Sequence, residues 1–339
     1  MNRKNVARLL LILLVLITIS SFFYLPYYVS KPGMAQELEP IVDVTDADEA
    51  NGSFMLTTIR MGKANIISYL MAKWSKYQEI YPESAIRTED ETDEEYNVRQ
   101  LHLMDSSKTN AIKVAYEKAG KEFSLQYKGV YVLDVLEDMP ASRLLQPGDQ
   151  IIQVDQLKFG SSKEFMDYIS SKKAGDKVHI VYKREETEKT GTITLQSFKD
   201  DPNRVGIGIS LDDYKRILTK PPVSIDSEEI GGPSAGLMFT LEIYNQLTDG
   251  DLTGGYKIAG TGTMAEDGTV GPIGGISQKI VAADKSGAEI FFAPNEKGAK
   301  TSNYREALAA AKDIGTDMKI IPVDDFQDAL DYLGQLKKK

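Results

Sequence analysis

An apolar run near the N-terminus constrains the folding of this chain more than any other feature. Three basic residues within the first eight precede it, and it extends from Leu9 to Leu25, with aromatic residues continuing to Val29. About 20 apolar residues suffice for a helix to cross the ~30 Å hydrocarbon core of a bilayer. The run therefore predicts an N-terminal transmembrane helix within residues 1–29, in contact with the lipid bilayer through residues 6–29.

A cleaved signal peptide is the competing interpretation of this run. Its apolar core would usually be ~7–15 residues long, with a small-x-small cleavage site close behind. Here the core is longer, and Gly33-Met34-Ala35 follows only after an aromatic cluster of the kind found at membrane interfaces. We therefore expect an uncleaved, single-pass anchor in the cell membrane. The positive charge before it predicts a cytoplasmic N-terminus and an extracellular remainder, which begins with a tether over residues 30–52.

Charge and cysteine content exclude several classes of protein. The chain carries 50 acidic against 40 basic residues, a net charge of −10, whereas nucleic-acid binding needs a basic face. The absence of cysteine excludes disulfides and zinc–thiolate sites. The acidic run at residues 89–95 lacks the glycine and spaced ligands of a calcium loop. We expect no nucleic-acid partner, no metal and no cofactor.

Residues 125–199 have the pattern of a β-rich module with two helices. A strand beginning at Gly129 is followed by a small-residue helix, a Pro-Gly-Asp turn, a second strand, a helix and two more strands. The segment GVYV…PASRLLQPGDQIIQVD resembles the PDZ domains found in bacterial proteases. Such domains bind peptides by strand addition. By resemblance, Lys128, Gly129, Val130 and Tyr131 are the expected peptide-binding residues; the alternative is a domain that acts only as a spacer.

A glycine-rich turn, Gly231-Gly-Pro-Ser-Ala-Gly236, opens a predicted helix in the last third of the chain. Proline suits the start of a helix, where its missing N–H is not needed. Ser234 would lie beside unpaired amides and the positive end of the helix dipole, where a developing oxyanion is stabilised. The same pattern also fits a tight turn into a packed helix, or a phosphate cradle.

A second glycine turn delivers Lys279 into the start of another helix, among Ile276, Ile280 and Val281. Burial lowers the pKa of a lysine and allows it to act as a general base, although most lysines are solvated surface charges. The chain has only two histidines, His102 and His179, and neither lies in the last third. A serine hydrolase built there would therefore need lysine as its base.

The motifs GGPSAG and PIGGISQK, with Ser234 and Lys279 45 residues apart, resemble the proteolytic domain of Lon proteases. The segment AGTGTMAEDGTVGPIGGISQKIVAADKSGAEIFFAPNEK extends the resemblance. It implies an α/β (α+β) domain in which Ser234 is the nucleophile and Lys279 its dyad partner. It also implies that Thr261 hydrogen-bonds near the lysine and that amides around Gly232 and Ser234 form the oxyanion hole.

The same resemblance suggests how the chain is divided. Residues 53–124 contain LTTI and a helix that resemble the first strand and helix of the Lon fold, so the PDZ domain is expected as an insertion before residues 200–339. With its anchor, the chain resembles the YlbL/SepM-type proteases of Gram-positive bacteria. This implies an endopeptidase that cleaves extracytoplasmic peptides or small membrane or secreted proteins, and a homo-oligomer of hexameric type. No G-x-x-x-x-G-K-[ST] motif appears in the sequence, so cleavage is expected to be ATP-independent. The alternatives are a non-catalytic PDZ scaffold on a degenerate protease fold and a glycine-loop nucleotide binder.

Overall fold

The computed structural model describes residues 11, 20, 22–45, 50–88, 91–227 and 230–339. Seventeen strands are present there: β1 Tyr24–Glu37, β2 Val42–Val44, β3 Ser53–Asn65, β4 Glu79–Pro82, β5 Glu122–Val135, β6 Gln150–Val154, β7 Lys177–Arg184, β8 Thr187–Thr194, β9 Gln196–Ser197, β10 Val205–Gly206, β11 Ile209–Lys220, β12 Val223–Ile225, β13 Lys257–Gly260, β14 Thr263–Met264, β15 Val270–Gly271, β16 Ile290–Pro294 and β17 Lys319–Val323. Seven α-helices accompany them in the same ranges: α1 Ile66–Trp74, α2 Asp93–Lys118, α3 Ser162–Ser170, α4 Gly236–Leu247, α5 Ile276–Lys285, α6 Asn303–Ile314 and α7 Phe326–Gly334.

The chain divides into two compact units. The first comprises residues 1–42, 48–90 and 234–339, and contains a six-stranded sheet in the order β17-β16-β13-β3-β1-β4. Strands β3, β13, β16 and β17 are parallel, whereas β1 runs antiparallel to both of its neighbours. Strands from before and after the predicted PDZ segment thus hydrogen-bond in one sheet, because β3 pairs directly with β13.

Side chains from the sheet and two helices form the core of this unit. Met55 and Phe291 of the sheet pack with Ile276 and Ile280 of α5 and with alanines of α6. Helix α6 begins at its N-cap Ser302 and ends at Gly315, whose left-handed conformation terminates the helix. The core fixes α5, which carries Lys279, against the sheet.

Strand β1 overlaps both the end of the predicted anchor and the start of the predicted tether, so both predicted bounds are wrong. Between Tyr24 and Glu37, β1 pairs with β3, and over residues 27–30 it also pairs with β4, so β1 is a strand of the sheet. Tyr28 and Val29, predicted to contact lipid, are buried. A cleavage site at Gly33-Met34-Ala35 would cut β1 in the middle of its ladder. The Asp/Glu and Pro content suggested a solvated tether, but pairing of β1 with β3 as far as Glu37 outweighs local composition.

The predicted anchor upstream of residue 22 lies almost wholly outside the described residues. Among the residues that are described, no helix is both long enough and apolar enough to span a bilayer.

The second unit comprises residues 43–47 and 91–233 and is built on a five-stranded antiparallel sheet in the order β11-β5-β6-β7-β8. Its core contains Val130, Ile151, Phe165 and Ile180. Asp149 is fully buried, and Arg184 neutralises it through two hydrogen bonds of 2.8 and 2.7 Å. A buried carboxylate needs such pairing, since an unpaired charge is costly to desolvate.

The borders of this unit differ from the predicted 125–199. Strand β11 pairs with β5 along its whole length, from Ile209 opposite Val135 to Lys220 opposite Glu122. The border at residue 124 therefore falls inside a strand, and the unit extends well beyond residue 199. Helix α2, expected with the proteolytic domain, clusters here instead. Its His102 ring stacks on Tyr131 of β5 at 4.2 Å.

Candidate active site

Ser234 occupies the turn that leads into α4. It is half-buried, while the residues that follow it are buried against the sheet. Two donors hold its backbone carbonyl: the amide of Gly262 at 2.9 Å and the hydroxyl of Thr261, also at 2.9 Å. The backbone of Ser234 is thereby fixed, and its side chain stays partly exposed.

Lys279 lies in the first turn of α5 and is 2% exposed. The turn before it approaches β3 so closely that a side chain at Gly275 would lie 2.9 Å from Ile59, and φ there is +71°. Glycine is therefore required for α5 to deliver the lysine to this depth. Burial lowers the pKa of Lys279 from its usual 10.5 to about 7.

Three oxygen atoms surround the Lys279 Nζ. They are Ser234 Oγ at 2.8 Å, the carbonyl oxygen of Thr57 at 2.9 Å and Thr261 Oγ1 at 3.0 Å. An ammonium group can donate to all three, whereas a neutral amine donates twice and accepts once. The site therefore accommodates both protonation states without leaving a polar atom unpaired.

The identity of these oxygens determines where the lone pair of the neutral amine points. The Thr57 carbonyl can only accept, and Thr261 already donates its one hydroxyl proton to the Ser234 carbonyl. Both must therefore receive an N–H from Lys279. The third direction is left for Ser234 Oγ, whose hydroxyl then donates to Nζ. This arrangement is the geometry required of a general base acting on a serine nucleophile.

Thr57 was not foreseen as a site residue. Its contribution is a backbone carbonyl, and its own hydroxyl is used to donate to the Gly260 carbonyl at 3.0 Å. A main-chain oxygen has no side-chain signature, so the only available signal was the strand LTTI that places it. Parallel pairing of β3 with β13 brings Thr57 and Thr261 to the same end of the sheet.

Gly232 does not fit its predicted oxyanion role. Its amide donates to the carbonyl of Gln100 in α2 at 2.9 Å, and is therefore already occupied. Within the part of the chain that the structure describes, the amide of Ser234 itself donates to no acceptor. Of the two amides expected from the sequence, only that of Ser234 can serve an oxyanion in this conformation.

His102 contacts both an aspartate and a serine, but the geometry of these contacts does not fit a catalytic triad. Its Nε2 lies 3.0 Å from Asp212 Oδ2 and 3.5 Å from Ser106 Oγ. A Ser-His-Asp triad needs the acid and the serine on opposite ring nitrogens. Here both contact the same nitrogen, so the geometry supports a structural role. His179 is exposed on β7.

The four predicted peptide-binding residues, Lys128 to Tyr131, lie in the interior of the second sheet. Strand β5, which contains them, pairs with β11 on one side and β6 on the other. A strand with two occupied edges cannot accept a peptide strand. Gly129 is needed instead for close strand approach, because a Cβ there would lie 2.3 Å from the Ile151 carbonyl oxygen.

A groove of about 490 Å³ lies elsewhere in this unit, between α3 and the segment at residues 204–211. Phe165, Ile169 and Leu211 line it with apolar surface. Strand β11 is at the edge of the sheet order, so one of its sides has no partner strand among the described residues. The alternating glycines of Val205-Gly-Ile-Gly-Ile209 could have indicated this loop, but the pattern predicts a plain strand equally well.

The groove loop has the features of a carboxylate nest. The carbonyls of Ile207 and Gly208 accept hydrogen bonds from the amides of Ala141 and Leu136, at 2.9 and 3.0 Å. Their own amides donate to no acceptor in the ranges that the structure covers. Successive free amides beside an apolar pocket can hold the carboxylate of a peptide C-terminus.

Comparison with known proteins matches two regions of the chain to protein families. Residues 118–195 match the PDZ domain family, and residues 224–335 match the Lon protease (S16) C-terminal proteolytic domain. Among solved structures, the PDZ domain of an SdrC-like protein from Listeria monocytogenes is 45% identical, covering 25% of this chain and 88% of that chain with a TM-score of 0.24.

Two Lon proteases illustrate the similarity to curated proteins. That of Campylobacter concisus is 32% identical over 137 residues, which cover 40% of this chain and 16% of that protein. That of Metamycoplasma arthritidis is 26% identical over 152 residues, 44% of this chain and 17% of that protein. The chain thus spans about a sixth of the length of these relatives. The predicted PDZ and Lon-type domains are confirmed, and the C-terminal region is a proteolytic domain of the Lon serine protease type, a peptide hydrolase.

Proposed function

We propose that this protein is a membrane-anchored, ATP-independent serine endopeptidase that works with a Ser234–Lys279 dyad. One observation carries the proposed chemistry: a buried lysine places its Nζ 2.8 Å from the hydroxyl of a half-buried serine. A non-catalytic scaffold has no need of a nucleophile beside a buried base, so this pair argues against the scaffold alternative.

The proposed reaction follows from the proton inventory of the site. Neutral Lys279 takes the hydroxyl proton of Ser234 as Oγ attacks the scissile carbonyl carbon, and the carbonyl oxygen becomes an oxyanion facing the Ser234 amide. The ammonium of Lys279 then gives its proton to the leaving amine, and the C–N bond breaks. Water then attacks the acyl carbon while Lys279 accepts one of its protons; the bond from that carbon to Ser234 Oγ breaks, and Lys279 returns the proton to Oγ.

The proposed location is the outer face of the cell membrane, with a cytoplasmic N-terminus. Because β1 begins at Tyr24, the anchor is proposed for residues 6–23, shorter than the stretch first expected. Substrates are proposed to be extracytoplasmic peptides or small membrane or secreted proteins, since flexible segments can enter a protease site without first being unfolded. Assembly into a hexameric ring is proposed from the resemblance to Lon proteases.

A serine-reactive fluorophosphonate probe tests the proposed nucleophile. We expect the full chain, in detergent, to be labelled at Ser234 and to cleave casein equally well with and without ATP. Ser106→Ala serves as the control, because Ser106 contacts His102 and is the serine of the rejected triad. It should leave labelling unchanged. Labelling at Ser106, or a strict requirement for ATP, would contradict the proposal.

We further propose that the groove of the PDZ unit binds the C-terminus of a peptide. The amides of Ile207 and Gly208 would hold the carboxylate, the apolar wall of the groove would accept the last side chain, and the peptide backbone would extend the sheet along β11. The groove lies within one unit and needs no residue of the other.

Peptide titrations test this role of the groove. A peptide with a free apolar C-terminus should bind at least about tenfold more tightly than its C-terminal amide, since hydrogen bonds to a charged group are worth roughly 1.5–3 kcal/mol. Met166→Glu, on the groove side of α3, should weaken binding of the free-acid peptide. Lys163→Gln lowers the net charge by the same amount on the same helix but outside the groove, so it should leave peptide binding unchanged. Equal binding of acid and amide would disprove the carboxylate nest.

A further inference from the structure

Helix α1 presents its apolar side to solvent. Ile66, Leu70 and Trp74 follow one another at intervals of four residues and are 37%, 56% and 95% exposed, with Met71 beside them at 59%. The buried side of the helix is marked by Ala72. A surface helix of a soluble domain normally turns its apolar stripe inward. This helix has the reverse orientation, and so it offers an apolar face to a partner.

The exposed face is held rigidly in place. Asn65 caps α1, with Ser68 completing a capping box. The ring of Tyr69 packs against Tyr27 of β1 at 5.1 Å. Rotating the helix to bury its apolar side would break these contacts, so the outward orientation is built into the fold.

The end of the N-terminal apolar run lies beside the start of this helix. Tyr24, the first residue of β1, is the cross-strand partner of Asn65, the residue before α1. Phe22, Phe23 and Tyr24 are 77%, 58% and 63% exposed. The exposed aromatics at the end of the run therefore lie next to the start of the exposed apolar helix.

We propose that α1 together with Phe22–Tyr24 is a membrane-contact surface, and that α1 lies in the interface of the bilayer next to the anchor. The inference rests on the proposed membrane anchoring. The proposed anchor, residues 6–23, ends immediately before β1, which begins at Tyr24. So short a connection holds the first unit against the bilayer surface.

The chemistry of the surface favours lipid as its partner. Tryptophan and tyrosine concentrate at the membrane–water interface, where one part of the ring is apolar and another is wet. Lys73, exposed on the same helix, can extend its amine towards lipid phosphates while its stem stays in apolar surroundings. Interfacial helices combine these two features.

This surface also limits which bonds the protease reaches. Thr57, whose carbonyl contacts Lys279, lies eight residues before Asn65 on the same strand, which is roughly 26 Å at ~3.3 Å per residue. With α1 on the bilayer, the dyad is at most about that far from the membrane surface. The proposed substrate class narrows accordingly to chains with a cleavage site close to the outer membrane face.

The native protein carries its own probe, because Trp74 is the only tryptophan of the chain. We expect the full chain, reconstituted at less than one molecule per vesicle, to show blue-shifted emission and to lose intensity in brominated-lipid vesicles. Leu70→Gln combined with Met71→Gln should reduce both effects without altering cleavage of a soluble peptide. Leu308→Gln, a similar change on the exposed side of α6, should leave both unchanged.

The outcomes separate the inference from the proposed anchoring. A chain that stays in the vesicles after alkaline extraction while Trp74 is quenched by aqueous iodide, and not by brominated lipid, would overturn the membrane-contact surface alone. A chain released by alkali would overturn the anchor. A blue shift that grows with protein concentration and is independent of lipid would assign α1 to contact with a second copy, which also overturns the proposal.

Discussion

Replacing Lys279 with methionine is expected to lower kcat for peptide cleavage by at least about 10³-fold, since general-base assistance is worth up to that order or more. In the wild type, the rate should rise with pH through about 7, as the buried lysine loses its proton. Methionine fills a similar volume, so the three oxygens around Nζ lose their partner while the fold is kept. Steady-state kinetics of the full chain across pH 6–10 measure both effects.

The same substitution should change how stability depends on pH. The unfolded chain keeps the lysine proton up to about pH 10.5, whereas the folded chain releases it near 7. The unfolded state therefore binds more protons between these values, and wild-type stability rises with pH across that interval. Lys279→Met lacks this slope, so its stability relative to wild type should be greatest near pH 7 and decline towards pH 10.

Lys285→Met is the matched control for both measurements. Lys285 lies on the same helix but is exposed at its last turn. It should retain wild-type kcat and the wild-type dependence of stability on pH. If Lys279→Met kept near-normal activity, or if both variants lost it equally, the base would have to be sought elsewhere.

Replacing Gly129 with alanine is expected to destabilise the second unit by about 3 kcal/mol or more. The added Cβ would lie 2.3 Å from the Ile151 carbonyl oxygen, and the backbone at Gly129 has a φ of +139°. Both overpacking and left-handed backbone strain contribute. Hydrogen exchange of β5 and β6 in the full chain should accelerate by roughly 100-fold, because 1.4 kcal/mol corresponds to a factor of ten.

Gly175→Ala separates these two contributions. Gly175 also has a positive φ, +93°, but no atom lies within 4 Å of the position its Cβ would take. Alanine there should cost only the backbone strain of about 1–2 kcal/mol. Equal effects of the two substitutions would mean that close strand approach is not the reason for glycine at position 129.

The close pair of Ser234 and Lys279 could be predicted because its signals are local. The glycines before α4 and α5 indicate tight turns that place Ser234 and Lys279 at the starts of helices. The apolar neighbours of Lys279 indicate that its amine is buried and has a lowered pKa. The scarcity of histidine then points to lysine as the base. The structure places the two side chains 2.8 Å apart, as this chemistry needs.

The predictions that failed concern which backbone edges and amides are occupied. Lys128 to Tyr131 were expected to bind a peptide, yet β5 has neighbours on both sides. The amide of Gly232 was expected to be free, yet it bonds to a carbonyl 132 residues earlier in the chain, that of Gln100. Local patterns cannot predict such pairing, because the partners come from distant segments.

Taken alone, the sequence determined the candidate pair Ser234 and Lys279, the two domain families and the apolar N-terminal run, since each depends on short-range composition and spacing. Only the tertiary structure decided that the run ends at a strand of the sheet, that a carbonyl on β3 contacts the lysine, and that an apolar groove lies against β11. It also decided that α1 faces outward. These features arise from long-range strand pairing and from the burial it imposes, which fix hydrogen-bond partners and exposure independently of local preference.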